Sequence, residues 1–170
     1  MRVIDAPRCA ARADLGPLSR LWHDAWHDAH SAYLPPALVA ARTRADFRAR
    51  LAGLLPAARL VGPGDAPLGL CIAEEGVLSQ LFVAAAVRGR GIGARLLADG
   101  EARIAAAGRL EAQLHCHPAN TAALRFYQSH GWRIGGRDLS TVTTPKGAVE
   151  IEHLTLLKWV TEPQEIPPSA

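Results

Sequence analysis

Apolar and polar positions along this 170-residue chain recur with two periods, and the changes of period mark its elements. An edge-strand candidate, Arg2 to Asp5, opens the chain. Leu18, Leu21, Trp22, Ala25 and Trp26 then recur at helical spacing. They predict a helix that starts at Asp14 or at Gly16-Pro17 and runs to about His30. Pro35-Pro36 cannot continue it, so Ser31 to Pro36 is a break. A second helical stretch covers about Ala37 to Leu54, with a breakpoint near Thr43. Thr43 and Asp46 are N-cap types, and Phe47, Leu51 and Leu54 or Leu55 share a face.

The period then shortens. Ala58 to Val61 is a short strand, and Gly62-Pro63-Gly64-Asp65 is a turn. Leu68 to Glu74 and Val77 to Val83 are strands joined by a hairpin at Glu74-Glu75-Gly76. A helical pattern follows, with Ile92, Leu96, Leu97 and Ile104 on one side, and ends near Gly108. Leu110 to Cys116 alternates as a strand: Leu110, Ala112, Leu114 and Cys116 on one face, Glu111, Gln113, His115 and His117 on the other. Pro118 ends it. Ala119 to His130 is a helix with Gly131 as its C-terminal glycine. Trp132 to Thr141 and Val149 to Val160 are two strands joined across Pro145-Lys146-Gly147. Thr161 to Ala170, rich in proline, reads as a disordered tail. The remainder, 1–160, reads as a single domain.

The chain is 49% hydrophobic and 21% charged, enough to bury a sizeable core. Its net charge of +3 is too mild for a nucleic-acid surface and fits an anionic small ligand better. The cluster Arg42, Arg44, Arg48 and Arg50 reads as a solvated helix face. Cys9, Cys71 and Cys116 cannot all pair and lack metal-ligand spacing. Cys71 and Cys116 read as small core residues, and a reducing cytoplasm is the expected setting. Neither a signal peptide nor a run of membrane-spanning length is present in this sequence.

Candidate chemistry begins at the turn after Val83. Arg88-Gly89-Arg90-Gly91-Ile92-Gly93 leads from a strand into a helix. The first-turn N–H groups of such a helix have no partner within it, and its dipole favours an anion there. Glycines at 89, 91 and 93 let a ligand approach the backbone, and Arg88 and Arg90 add positive charge. A Walker loop would need Gly-Lys-Ser/Thr, which is absent. A dinucleotide fingerprint fails at its third glycine, because Leu96 stands there.

The turn instead resembles the Arg/Gln-x-x-Gly-x-Gly/Ala pyrophosphate signature of the GNAT superfamily of acetyl-CoA-dependent N-acetyltransferases. The flanking Leu81-Phe82-Val83 and Ala94-Arg95-Leu96-Leu97 are similar to that family too. So is a second stretch, Asn120-Thr-Ala-Ala123-Leu-Arg-Phe126-Tyr127, followed by Gly131-Trp132. It resembles the family's Asn-x-x-Ala-x-x-x-Tyr element. The resemblance implies a GNAT-like αβα sandwich of the α/β (α+β) class. It implies a mixed, mostly antiparallel sheet of six to seven strands, about four helices and the order β-α-α-β-β-β-α-β-α-β-β. It also implies acetyl-CoA as cosubstrate, held by Phe82, Val83, Arg88, Gly89, Arg90, Gly91, Ile92, Gly93, Ala94, Asn120, Ala123 and Tyr127.

Acetyl transfer from a thioester to an amine needs a neutral amine, donors for the oxyanion and help for the departing thiolate. The resemblance assigns the second to backbone N–H groups near Phe82 or Val83 and the third to Tyr127. The family's usual glutamate position holds Ser79-Gln80, and glutamine cannot take a proton. Some relatives place a base five residues before the motif asparagine, which is His115 here. His27, His30, Tyr33 and Gln80 are the expected acceptor contacts. His23, His27 and His30 have i, i+4, i+7 spacing, but no Cys or carboxylate signature completes a metal site, and no metal is expected. The function implied is transfer of acetyl to a primary amine of a small molecule, peptide or protein, by direct attack in a ternary complex. The alternative is a non-catalytic acyl-CoA-binding regulatory module on the same fold. No nucleic acid or membrane partner is expected, and the chain is read as a monomer or homodimer.

Overall fold

The computed structural model describes residues 6–161. The strand expected over Arg2 to Asp5 and all but the first residue of the expected tail lie outside them. The described elements are β1 (Arg8–Cys9), α1 (Leu15–His30), α2 (Pro36–Ala41), α3 (Arg44–Leu54), β2 (Ala58–Val61), β3 (Gly69–Glu74), β4 (Val77–Val83), α4 (Ile92–Ala106), β5 (Glu111–Cys116), α5 (Thr121–Ser129), β6 (Arg133–Thr144) and β7 (Gly147–Trp159). Five α-helices are present among the described residues. Pro36 opens α2, and Thr43 starts α3 afresh, its Oγ1 accepting the Asp46 N–H at 3.2 Å. Asp14 does not cap α1 with its side chain. Its buried carboxylate turns back to the Ala11 N–H and to both terminal nitrogens of Arg8, each at 2.8 Å.

One seven-stranded sheet runs in the order β1-β2-β3-β4-β5-β7-β6. Its pairings are antiparallel except for β4 with β5. Two apolar layers cover its faces. Leu18, Trp22, Phe47 and Leu51 of α1 and α3 pack on Leu60, Leu70 and Ile72. Ile92, Leu96, Leu97 and Ile104 of α4 pack on Cys71, Ala73 and Leu78. Covered on both sides, β3 is buried from Gly69 to Ala73, which explains its unbroken apolar run. Helix α4 lies close to β3 because two glycines lack side chains. A Cβ on Gly69 would meet Leu96 Cδ1 at 2.6 Å, and one on Gly100 would meet Leu78 Cδ1 at 2.9 Å.

The β6–β7 hairpin is longer than the hydrophobic pattern predicts, and it pairs from Arg133 with Leu157 to Thr144 with Gly147. Its far end bends over α1–α3, where Val142, Val149 and Ile151 join the apolar layer. Leu110 lies outside β5 and is 55% exposed, so the predicted buried face starts at Ala112. Among the described residues, no helix is long and apolar enough to cross a membrane.

Candidate active site

The site begins where the sheet splits. β4 and β5 pair in parallel at Val77 and Gln113, and the Gln113 N–H donates to the Gly76 carbonyl at 2.9 Å. Beyond that point the strands diverge, and a wedge opens toward their C-terminal ends. A bulge in β4 sets what faces it. Ile72 pairs with Gln80 but Ala73 with Leu78, so Ser79 is the extra residue. The bulge shifts the two-residue alternation. Leu78, Leu81 and Val83 therefore join the α4 layer, while Phe82 joins the α1 layer.

On the α4 side of the wedge is a groove of about 410 Å³. Val83, Arg88, Gly89, Gly91 to Ala94, Ala123, Phe126 and Tyr127 line it. Gly91 is the N-cap of α4 in the left-handed region, φ 81°, with no side-chain cap, so the first N–H groups of α4 remain available. A Cβ on Gly89 or Gly91 would meet nothing within 4 Å, whereas one on Gly93 would come to 3.4 Å from Phe126. Arg88 is paired with the Asp28 carboxylate of α1, and its Nε donates to the Val83 carbonyl at 3.2 Å. Its charge is therefore balanced within the protein, and the donors the turn offers to an anion are its backbone N–H groups. Apolar walls ending in free N–H groups fit a ligand with an extended chain and a pyrophosphate, as coenzyme A has.

On the other side is a cavity of about 430 Å³. The two spaces share Leu81, Ala123 and Tyr127 as walls. Tyr127 is buried, and burial holds its hydroxyl pKa well above the usual phenol value. Cys116 beside it is pushed up to about 11 by burial, so it stays a thiol. The second cavity is rich in imidazole: His30, His115 and His117 line it together with Gln80. A smaller adjoining space of about 190 Å³ adds His153.

These rings differ in which nitrogen is committed. Nε2 of His115 accepts from the Gln113 amide at 2.8 Å, and its ring lies 4.5 Å from that of His153. Nδ1 of His117 accepts the Ala119 N–H at 3.1 Å, and its ring stacks on Tyr33 at 4.5 Å. His30 is the opposite case. Its Nδ1 donates to the Trp26 carbonyl at 2.9 Å, leaving Nε2 with its lone pair and no partner among the described residues. Burial lowers the His30 pKa, helped by the nearby His117 and His27. His115 and His117 are also lowered, chiefly by burial.

The remaining expected contacts are placed as follows. Val83, Arg88, Gly89, Gly91 to Ala94, Ala123 and Tyr127 line the groove on the α4 side; Arg90 is exposed outside it. The Phe82 side chain lines the second cavity. So does Asn120, whose Oδ1 caps α5 by accepting the Ala123 N–H at 3.2 Å. Gln80 lines the second cavity and the smaller space beside it. His27 is not brought to them, because its Nε2 donates to the Arg42 carbonyl at 2.7 Å. Tyr33 stands behind His117 with its hydroxyl buried and unpartnered, and its pKa rises to about 12. Among the described residues, no His, Cys, Asp or Glu group is arranged to hold a metal ion. Sequence reasoning passed over His153. The signal was present in β7, where Val149, Ile151 and His153 alternate onto one face.

A family model described as the acetyltransferase (GNAT) family matches residues 17–132. No curated protein matches the chain. Among solved structures, a GCN5-related N-acetyltransferase from Rhodopseudomonas palustris is similar at 20% identity and a TM-score of 0.71, covering 94% of this chain and 99% of its own. The PaiA N-acetyltransferase from Thermoplasma acidophilum, in complex with coenzyme A, is 16% identical at a TM-score of 0.71, covering 92% and 99%. A ribosomal-protein-alanine N-acetyltransferase from Brucella melitensis is 18% identical at 0.68, covering 91% and 99%. At these identities the similarity is one of fold.

Proposed function

The chain belongs to the acetyltransferase (GNAT) family, and from that premise we propose that it transfers acetyl from acetyl-CoA to a primary amine by direct attack in a ternary complex. Residues 1–160 form the one catalytic domain in this reading. The observation that carries it is the meeting of two cavities at Tyr127, one suited to the cofactor and one lined by imidazoles. The alternative, a non-catalytic acyl-CoA-binding module, gives no use to the second cavity.

When bound, acetyl-CoA supplies the acetyl group as a thioester with a thiol as leaving group. Val83, Gly89, Gly91, Gly93 and the first N–H groups of α4 would hold it. A backbone N–H group near Phe82 or Val83, at the end of β4, would face the oxyanion as it develops. Nε2 of His30 takes the proton that the amine loses as the C–N bond forms and the C–S bond breaks. Tyr127 Oη donates a hydrogen bond where the sulfur departs. Its raised pKa makes full proton transfer uphill, so it acts as a donor rather than as an acid. The proton that His30 takes is the one the thiol requires, and the count closes.

His115 is the weaker base, because its Nε2 lone pair is already engaged by Gln113. Burial lowers the His30 pKa, and its hydrogen bond to the Trp26 carbonyl fixes the required tautomer. The test is purified protein with acetyl-CoA and a panel of primary amines. Acetyl-CoA is expected to raise the melting temperature, and at least one amine to release free CoA thiol. Stabilisation without thiol release from any amine would favour the regulatory module instead.

A further inference from the structure

The acceptor cavity ends on a guanidinium that the fold leaves without a full partner. Arg50 of α3 lines the smaller space, which is continuous with the larger one through His30, Gln80 and His117. Its guanidinium carbon lies 4.9 Å over the Trp22 ring and 5.7 Å over that of Phe47, two fully buried side chains. The contact stacks the fork against the two rings. The nearest carboxylate is Asp46, whose Oδ2 is 3.9 Å from Arg50 Nη1, beyond hydrogen-bond reach. Asp46 is also closer to a second cation, Arg42, at 3.3 Å. Two guanidiniums thus share one carboxylate, leaving one positive charge over.

No hydrogen bond to the Arg50 fork is made by any other described residue. Glu152, on the opposite wall, is paired with Arg137 at 3.0 Å. Removing a charge from water costs free energy unless something compensates it, and burial with the Arg42 charge already pulls the Arg50 pKa down. A planar, partly buried fork with open donors matches a carboxylate.

We propose that Arg50 anchors the acceptor, and that the acceptor is a small primary amine carrying a carboxylate, which sits on the Arg50 fork while the amine reaches toward Tyr127. The inference rests on the acetyltransferase reading above. The two spaces, about 430 and 190 Å³, suit a small molecule.

The experiment compares matched acceptors by CoA thiol release: glycine, β-alanine and γ-aminobutyrate, each against its carboxamide and its aminophosphonate. In the wild type at least one carboxylate is expected to exceed its amide by about 10-fold or more in kcat/KM. Arg50→Gln should remove that preference, raising KM for the acid far more than KM for the amide. Arg50→Lys, which keeps the charge but not the fork, should restore it only in part. A phosphonate preferred over its carboxylate would overturn the carboxylate assignment. Equal use of acid and amide by the wild type would overturn the proposal without any variant, as would a preference that survives in Arg50→Gln. Acetyl-CoA stabilisation with no acid-bearing amine acetylated would overturn it too, while leaving cofactor binding intact. Absence of both stabilisation and thiol release would instead sink the acetyltransferase reading.

Discussion

Trp26 and His30 are one helical turn apart on α1, and the Trp26 carbonyl takes the Nδ1 proton of His30 at 2.9 Å. The rings also stack, with centroids 5.1 Å apart and planes at 25°. One side of the imidazole is fixed by its own helix while Nε2 is left to the imidazole-lined cavity. If this nitrogen is the base, kcat/KM falls as pH drops through the His30 pKa. That pKa is lowered, so the limb lies below the ordinary 6.5 once the amine's own titration is accounted for. His30→Gln should lose the limb and about 10²–10⁴-fold in rate, as general bases typically contribute. His115→Ala should keep it. A limb missing from His115→Ala and intact in His30→Gln would return the role to His115.

The same lowered pKa makes a stability prediction. In the unfolded chain His30 titrates near 6.5 and in the folded protein below it. Between those values the unfolded state binds more protons, so stability rises with pH. The contribution is complete above about 6.5 and is lost as pH falls below it. Melting temperature measured from about pH 7.5 down to pH 5 should therefore fall less steeply for His30→Gln than for the wild type. Parallel curves would show that His30 does not titrate this way.

Tyr127→Phe removes one hydroxyl and keeps the ring in the core. Its rate should drop by about 10-fold or more, with the acetyl-CoA thermal shift nearly unchanged. An unaltered kcat would leave Tyr127 as a packing residue.

Gly93→Asp places a Cβ 3.4 Å from Phe126 and a negative charge among the α4 N–H groups. Acetyl-CoA should then no longer raise the melting temperature, although the apo protein still unfolds cooperatively. Gly93 is the sharper choice than Gly91, whose φ of 81° would strain any side chain regardless of ligand. A full wild-type shift in the variant would put the cofactor elsewhere.

Asp14→Ala leaves the Ala11 N–H and the Arg8 fork without their acceptor. The expected loss is about 1–3 kcal/mol in urea unfolding at neutral pH. The Asp14 carboxyl is held below the usual range, mainly by the Arg8 hydrogen bond. Its contribution is thus present above the unfolded value near 3.9 and fades as pH falls below it, so wild type and variant should converge in acid. A constant gap down to low pH would contradict this.

The sequence by itself determined the features that are local. Strand β4, the glycine turn and α4 follow from periodicity and from glycines at left-handed positions, and residues three to four apart suffice to specify them. The break at Pro35-Pro36, the cap at Thr43 and the Asn120–Tyr127 helix are legible for the same reason. What the tertiary structure decided is every relation across elements. The bulge at Ser79 arises from pairing with β3, and it moves Leu78 to the face of Leu81, against simple alternation. His27 and His30 carry equal signals on one helix, yet Arg42 takes the first and leaves the second to the cavity. Arg50 stands in a charge run that reads as a solvated face. Its partial burial follows from where Trp22 of α1 meets α3, and such packing depends on the relative placement of two helices, which the hydrophobic pattern of either one does not encode.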